Sequence, residues 1–303
     1  MKTKIIIYIV LLVIGGGPIG IELGQAFNRL GSNVSVIQRG PCFLPKEDKE
    51  ITDVLLKKLK KEGMKFYFNS TPKKFVSYNK VIIGNKTKIN FDSVLISVGR
   101  ELNIENLDLG KAGIKLDESG KKIIVNSCLQ TTNKNVFLCG DIAGSYQFTH
   151  AAELHAKIIL NNFFSLFKKK LNYDDFSWVT YTTPEIATFG LNEGEIKKRN
   201  IRYKKLILNL SYDDRAIVED YREGKIILYI SSGKLLGGSL VSSNAGELFQ
   251  ELVLAKTSNL EIKHIFNKIY PYPTASRINK RIISNYIGNK LTLSIKKIMR
   301  FLY

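Results

Sequence analysis

Apolar and polar positions divide the beginning of the chain into four segments. Residues 5–14 are almost uniformly apolar, which is typical of a strand buried on both faces of a parallel sheet. Residues 15–20 read GGGPIG, and residues 19–30 then carry apolar side chains at helical spacing. A second apolar run follows at residues 34–37. The pattern predicts a strand, a tight turn, a helix and a second strand.

The next segments continue this alternation. Residues 48–62 place apolar side chains on one face and lysines on the other, so they predict a helix, which Gly63 ends. Shorter apolar runs predict strands at residues 64–68, 73–78, 80–83, 86–91 and 93–98. The middle three are expected to be antiparallel and the last to be buried. The elements predict an α/β, Rossmann-like nucleotide-binding domain over residues 1–102.

The pattern changes after this domain. A loop is predicted at residues 103–113, short strands at 123–125 and 136–139, and a helix at 149–164. We assign residues 103–168 to a second, partial domain.

The remaining residues, 169–303, mix strands and helices in an α+β pattern. Strands are predicted at residues 179–182, 186–190, 203–210, 216–219, 225–230 and 235–241, and helices at 192–199 and 245–255. The tail at residues 290–303 places apolar side chains at helical spacing, with basic side chains between them. A basic amphipathic helix packed on the protein is favoured there over one that binds an anionic membrane.

Composition supports a globular protein of about two domains, with 303 residues of which 44% are hydrophobic and 24% charged. The net charge of +19 would suit anionic partners, but most of the excess is scattered lysine. The chain has no RNP box, zinc finger or arginine-rich arm, so nucleic-acid binding is not predicted.

The other polar residues exclude several further classes. Three cysteines without CxxC-type spacing make neither a disulfide framework nor a zinc site, which favours the cytoplasm. The basic and apolar N-terminus is similar to a signal peptide, but no small-residue cleavage site follows. Secretion is therefore the less favoured interpretation. His150, His155 and His264 do not form a metal-binding set, and no metal site is predicted.

The glycine turn carries the strongest chemical signal. Gly15, Gly17 and Gly20 form GxGxxG between a strand and a helix, where glycines permit a sharp turn, close approach of a pyrophosphate and tight helix packing. Pro18 suits the first helical position, and the helix N-terminus from Ile19 offers N–H groups and positive partial charge to phosphate. The alternative is a glycine-rich turn without a ligand.

The residues that end the second strand bear on the choice of dinucleotide. An acidic side chain at this place would bind the ribose 2′-hydroxyl, but the chain has Gln38 followed by Arg39. Because Gln38 does not repel a 2′-phosphate and Arg39 can pair with one, NADP is favoured and NAD is the alternative. Arg39 could instead be a solvated surface charge.

Three separated motifs resemble the flavin-dependent pyridine nucleotide–disulfide oxidoreductases, the family of dihydrolipoamide dehydrogenase, glutathione reductase and mercuric reductase. The motifs are GGGPIGIE at residues 15–22, TTNKNVFLCGD at 131–141 with THAA at 149–152, and the region from YTTPEIA at 181–187 to YPYPT at 270–274. The segment from Val36 to Asp48 looks most like the mercuric-reductase-like branch.

The resemblance implies roles for individual residues. Glu22 would lie near the nicotinamide carboxamide, and Gly99 would close the dinucleotide site. Asp141, after Gly140, would accept a hydrogen bond from the ribityl chain of FAD. The helix that includes His150 and Ala151 would aim its N-terminus at the flavin ring. Residues from Trp178 onward would build a homodimer.

Two departures from the family affect the expected chemistry. The 303 residues contain neither the family's other glycine-rich loop, which binds FAD, nor its CxxxxC disulfide. Tyr272 stands where the family has a His, and Arg277 stands where it has a Glu. Tyr272 and Glu22 are nevertheless the candidate catalytic residues.

The expected function is hydride transfer from NAD(P)H to FAD and on to a disulfide or other acceptor, by a fragment that needs an upstream partner. The alternatives are a non-catalytic nucleotide-binding or dimerising subunit of a split enzyme, and an inactive remnant.

Overall fold

The computed structural model describes residues 9–84, 86–144 and 146–289. The chain forms two compact units, of which the first combines Met1–Val98 with Asp174–Tyr303 and the second is Gly99–Tyr173. The predicted tail at residues 290–303 lies outside the described residues. No helix in the described ranges is long and apolar enough to cross a bilayer.

The first part of the chain has the predicted α/β order. Its elements are β1 (Val10–Ile14), α1 (Pro18–Arg29), β2 (Asn33–Ile37), α2 (Lys49–Lys61), β3 (Lys65–Tyr67), β4 (Pro72–Ser77), β5 (Lys80–Ile83), β6 (Thr87–Asn90) and β7 (Ser93–Ile96). A parallel sheet has the strand order β3-β2-β1-β7, and β4, β5 and β6 form a separate antiparallel sheet. Leu12 and Val13 are fully buried, as expected for a central parallel strand.

The last strand of this part is less buried than predicted. Ile96 is 69% exposed and Val98, just after the strand, is 70% exposed. In the described sheet, β7 is an edge strand that pairs only with β1. The prediction of a strand at residues 93–98 is confirmed for Ser93–Ile96, but the prediction that it is buried is wrong.

The second unit contains a 3₁₀ turn at Gly140–Ala143 and the helix α3 (Thr149–Phe164). Ile114, Ile123 and Leu138 form its small apolar core. The strands predicted at residues 123–125 and 136–139 are isolated bridges, which join Leu116 to Ile123, Val125 to Thr131 and Gln130 to Phe137. Residues 123–125 pair at two single positions and residues 136–139 at one, so neither segment forms a continuous strand.

The C-terminal part of the first unit is an antiparallel sheet with helices. Its elements are β8 (Ser177–Thr180), β9 (Glu185–Gly190), α4 (Glu193–Lys198), β10 (Lys204–Asn209), α5 (Asp214–Val218), β11 (Lys225–Ser231), β12 (Lys234–Ser242), α6 (Ala245–Leu248), α7 (Gln250–Thr257), α8 (Ile262–Asn267) and α9 (Arg277–Gly288). The five strands are ordered β10-β11-β12-β9-β8. This sheet confirms the α+β character that the sequence predicts.

One predicted strand in this part is a helix. Residues 216–219 overlap α5, because the Asp213 side chain accepts a hydrogen bond from the Ala216 N–H at 3.1 Å and caps the helix. The helix predicted at residues 245–255 is divided into α6 and α7 at Phe249. The apolar spacing alone missed both the cap and the division.

The two parts of the first unit share an apolar core. Phe43, Leu44 and Ile51 from the nucleotide-binding part belong to the same buried cluster as Ile227 and Tyr229 from β11. The parallel sheet is thus joined to the antiparallel sheet through packed side chains as well as through the chain.

Candidate functional site

The glycine turn lies between β1 and α1, at the carboxyl edge of the parallel sheet. Gly15 has a φ of +111°, and a Cβ added there would lie 2.3 Å from the Ser97 carbonyl oxygen. A Cβ on Gly20 would lie 2.2 Å from the Gly15 carbonyl oxygen and 2.5 Å from Ser97 Oγ. The fold itself therefore requires glycine at both positions.

Gly17 differs from the other two glycines. Its φ of −79° is open to any residue, and an added Cβ would meet no atom within 4 Å. Pro18 begins α1 as predicted, and the first turn closes with Ile21 N–H donating to the Gly17 carbonyl at 3.0 Å. The space over Gly17 and the N–H groups of Ile19 and Gly20, which donate to no other described residue, together fit a bound pyrophosphate.

The end of β2 supports the turn. Gln38 Oε1 accepts a hydrogen bond from the Gly16 N–H at 3.0 Å, so this carbonyl is already engaged by the protein. Arg39, the next residue, is exposed and follows the strand at the same edge of the sheet. The choice between NADP and NAD stays a prediction.

Ser97 follows β7 and supports the glycine turn, a role that the sequence did not reveal. Its hydroxyl lies 3.1 Å from the Ile14 carbonyl oxygen and 3.0 Å from the Gly15 carbonyl oxygen. The pairing of Ile14 with Ile96 in the parallel sheet brings it there. Only the register of β7 against β1 would have placed Ser97 beside the turn.

Glu22 lies one turn into α1 and faces the C-terminal part of the same unit. Its Oε1 accepts a hydrogen bond from the Tyr181 N–H at 2.7 Å. Burial raises the pKa of Glu22, while the hydrogen bond from Tyr181 acts in the opposite direction. Within the described chain, no donor is bonded to Oε2, so this oxygen can accept an N–H from a bound carboxamide.

Gln25, one turn further along α1, fixes the same contact. Its side chain is 3% exposed and makes two hydrogen bonds of 2.8 Å with the backbone N–H and carbonyl of Thr183. The polar face of α1 is thereby attached to the loop between β8 and β9. Glu22 consequently has a fixed position one turn beyond the glycine turn.

Tyr272 lies in the loop before α9 and is 67% exposed. The Arg277 guanidinium lies 5.2 Å from the centre of its ring, at a distance typical of a cation–π contact. Among the described residues, no hydrogen bond or ring contact joins Tyr272 to the glycine turn. The predicted role of Tyr272 therefore stays a prediction.

The second unit contains the residues predicted to bind the flavin. Asp141 is exposed in the 3₁₀ turn, and its Oδ2 lies 3.8 Å from Arg100 Nη1. His150 is exposed near the N-terminus of α3, and Ala151 beside it is fully buried. Gly99, which the resemblance assigns to the dinucleotide site and not to the flavin, is the first residue of this unit. An exposed carboxylate can accept hydrogen bonds from hydroxyl groups, and a helix N-terminus can stabilise negative charge.

A fully buried histidine holds the turn that carries Asp141. The Gly140 N–H donates to His155 Nδ1 at 3.0 Å, so Nε2 carries the proton and faces the Tyr173 hydroxyl at 2.5 Å. Burial lowers the pKa of His155, which favours this neutral form. No group of three or more metal-ligating side chains occurs in the part of the chain that the structure describes.

A parallel sheet with a GxGxxG turn at its carboxyl edge is the arrangement typical of Rossmann-like dinucleotide-binding domains. The family model described as pyridine nucleotide-disulphide oxidoreductase matches residues 8–156, and the model of that family's dimerisation domain matches residues 176–281. The chain belongs to the pyridine nucleotide-disulphide oxidoreductase family.

Similar curated proteins come from two groups. A mercuric reductase of Staphylococcus aureus is 33% identical over 272 residues, which cover 87% of this chain and 50% of that protein. A dihydrolipoyl dehydrogenase of Thermus scotoductus is 36% identical over 279 residues, which cover 88% of this chain and 59% of that protein. The chain thus spans about half the length of the curated relatives it matches.

Solved structures confirm the fold. The HOCl-induced flavoprotein disulfide reductase RclA of Escherichia coli, solved as a Cu(II) complex, gives a TM-score of 0.82 at 23% identity and covers 91% of this chain and 64% of that chain. LpdA of Mycobacterium tuberculosis gives a TM-score of 0.83 at 22% identity and covers 91% of this chain and 61% of that chain.

Proposed function

We propose that this chain binds NAD(P)H at the glycine turn and takes part in hydride transfer from that dinucleotide to FAD, and on to a disulfide or other acceptor. The observation that carries the proposal is the contrast among the three glycines. Gly15 and Gly20 are required by contacts inside the fold, whereas Gly17 faces open space. A ligand that approaches the backbone gives a reason for glycine at this position.

The residues of the first unit have distinct parts in this function. The N-terminus of α1 and Gly17 hold the pyrophosphate, and Oε2 of Glu22 accepts the carboxamide N–H of the nicotinamide. Arg39 pairs with a 2′-phosphate, so NADPH is the favoured donor and NADH the alternative. These residues bind and orient the dinucleotide.

The second unit contributes to flavin binding. Asp141 accepts from a ribityl hydroxyl, and the N-terminus of α3, at His150 and Ala151, stabilises negative charge on the reduced ring. FAD supplies the two-electron acceptor chemistry, and the protein supplies binding and orientation. The remaining flavin contacts and a redox disulfide would come from a polypeptide segment outside these 303 residues, since neither the second glycine loop nor CxxxxC is among them.

A second candidate function is a non-catalytic dinucleotide-binding subunit. Arg277 favours it, because a guanidinium cannot serve as the proton acceptor that the family pattern has there. In either case the matched dimerisation domain supports a homodimer. The three cysteines are free, which fits a reducing cytoplasm.

An anaerobic flavin titration separates these possibilities. The chain is mixed with FAD and NADPH, with and without the polypeptide encoded immediately upstream, and the oxidised flavin absorption band is followed. Loss of the band that requires both polypeptides supports the split oxidoreductase. Dinucleotide binding without loss of the band in the mixture supports the non-catalytic subunit. Failure to bind either NADPH or NADH overturns both.

A further inference from the structure

The segment between β2 and α2 holds the peptide at the centre of the glycine turn. The Gly16 carbonyl accepts a hydrogen bond from the Leu44 N–H at 2.8 Å. A Cβ added to Gly16 would lie 3.0 Å from Phe43 Cβ, so this segment packs directly against the turn. Phe43 and Leu44 are 1% and 2% exposed, which leaves the segment little freedom to move.

Two adjacent carboxylates attach this segment to the antiparallel sheet. Glu47 Oε1 accepts from Trp178 Nε1 at 2.5 Å, and its Oε2 accepts from the Thr188 hydroxyl. Asp48 Oδ1 accepts from the Tyr229 hydroxyl at 2.8 Å, and its Oδ2 accepts from the Ser239 hydroxyl at 3.1 Å. The four donors lie on β8, β9, β11 and β12, in that order.

The Asp48 side chain contacts the antiparallel sheet rather than the N-terminus of its own helix. This residue is the N-cap of α2, where an aspartate commonly accepts from the first backbone N–H groups of the helix. The Asp48 side chain makes no such cap hydrogen bond. Its oxygens are directed to the antiparallel sheet instead, so the contact between the two parts takes the place of helix capping.

The donors are buried and held in place. Trp178 is 6% exposed, Thr188 is 2%, Ser239 is 3% and Tyr229 is fully buried. A short turn joins this anchor to the dinucleotide turn, because the Glu47 N–H donates to the Leu44 carbonyl at 3.0 Å. The route from the antiparallel sheet to Gly16 therefore consists of consecutive hydrogen bonds within one segment.

We propose that Glu47 and Asp48 are positioning residues, through which the antiparallel sheet fixes the conformation of the dinucleotide-binding turn. The inference rests on the proposed binding of NAD(P)H at that turn. It adds that dinucleotide affinity depends on the C-terminal part of the chain, although this part contributes none of the three glycines of the turn.

The competing interpretation is a clamp that only holds the two parts together. A clamp of that kind changes the free energy of unfolding but leaves the affinity of each folded molecule unaltered. A positioning role changes the affinity of molecules that are fully folded. The dissociation constant of the folded chain, measured well below the unfolding midpoint, distinguishes the two.

The test compares Glu47→Ala and Asp48→Ala with two matched variants. Glu47→Gln keeps an acceptor for Trp178 and can donate to Thr188, so it should restore the affinity. Glu50→Ala removes the next carboxylate, which pairs with Lys205 at 2.7 Å across the same boundary but lies within α2 beyond the segment. NADPH and NADH are the probes, and circular dichroism establishes that each variant is folded.

We expect Glu47→Ala and Asp48→Ala to weaken dinucleotide binding about fivefold to tenfold, as for the loss of one or two supporting hydrogen bonds. Glu47→Gln and Glu50→Ala should bind within about twofold of the unaltered chain. Should either alanine variant not fold, Thr188→Val and Ser239→Ala each remove one of the two donors of that carboxylate from the opposite side and carry the comparison.

The possible results distinguish the positioning role from a clamp and from a failure of the proposed function. Unaltered affinity in the alanine variants, with a lower unfolding midpoint, overturns the positioning role and leaves a clamp. Equal weakening in Glu50→Ala also overturns it, because the effect would then not be specific to the segment. Failure of the unaltered chain to bind either dinucleotide overturns the proposed function itself.

Discussion

The contrast between Gly17 and Gly20 gives a quantitative prediction. Replacing Gly20 with alanine places a Cβ 2.2 Å from the Gly15 carbonyl oxygen and 2.5 Å from Ser97 Oγ, well inside ordinary contact distances. Since the nearest atom belongs to the backbone, the helix or the turn must shift. Overpacking of this kind costs about 1–3 kcal/mol of the free energy of unfolding.

Replacing Gly17 with alanine should have little effect on the free chain. The backbone there has φ −79° and ψ 177°, which alanine adopts without strain, and the new Cβ meets no atom within 4 Å. A poorer residue at the N-cap and a less flexible unfolded state act in opposite directions, so the net change is within about 1 kcal/mol. The same Cβ occupies the space proposed for the pyrophosphate and should weaken binding at least tenfold, or ~1.4 kcal/mol.

Two measurements on each variant test this reasoning. Urea denaturation gives the free energy of unfolding, and titration with NADPH followed by its fluorescence gives the dissociation constant. Gly17→Ala should keep its stability and lose affinity, whereas Gly20→Ala should lose stability. The reasoning is refuted if Gly17→Ala binds NADPH as tightly as the unaltered chain, or if it loses as much stability as Gly20→Ala.

Three further predictions concern charge and assembly. Arg39→Glu should lower the affinity for NADPH at least fivefold relative to NADH, because a carboxylate repels the 2′-phosphate, and an unchanged preference in paired titrations would argue against the role of Arg39. Burial raises the pKa of Glu47 above its ordinary value near 4.5, so the folded chain keeps a proton that the unfolded chain releases, and the free energy of unfolding should fall as pH rises through that window. Glu47→Gln should flatten this dependence in urea titrations between pH 4 and 8, and an identical slope would count against a raised pKa of Glu47 in the folded chain. Light scattering should show a dimer formed through residues 176–281, and a monomer at every concentration would contradict it.

Local patterns in the sequence predict the structure of the glycine turn well. The apolar run, the glycines and the amphipathic segment specify β1, the turn and α1, and Pro18 begins the helix as expected. This succeeds because consecutive residues carry the whole signal, including the strand, the turn and the first helical turn. The antiparallel sheet is likewise marked by its apolar runs.

Contacts between distant residues were not predictable in the same way. Ser97 and the anchor at Glu47 and Asp48 depend on strand register and on packing between the two parts of the first unit. In the sequence, Asp48 is an ordinary helix cap and Glu47 an ordinary surface acid. Their partners lie more than a hundred residues away, so no local spacing reveals them.

Short-range competition explains the misassigned elements. Residues 216–219 have apolar side chains that suit a strand, but the cap at Asp213 starts a helix two residues earlier. The exposure of β7 has another cause, since a strand at the edge of a sheet is covered on fewer sides than its apolar composition suggests. In both cases the deciding interaction lies outside the segment itself.

Binding of a dinucleotide by the unaltered chain is the most direct test of the account. NADPH and NADH are titrated separately into the purified protein in a calorimeter, and each is then used to displace the other. We expect saturable binding of one dinucleotide per chain, with mutual displacement and tighter binding of NADPH. Absence of saturable binding by both dinucleotides, in a chain that circular dichroism shows to be folded, would contradict the central claim.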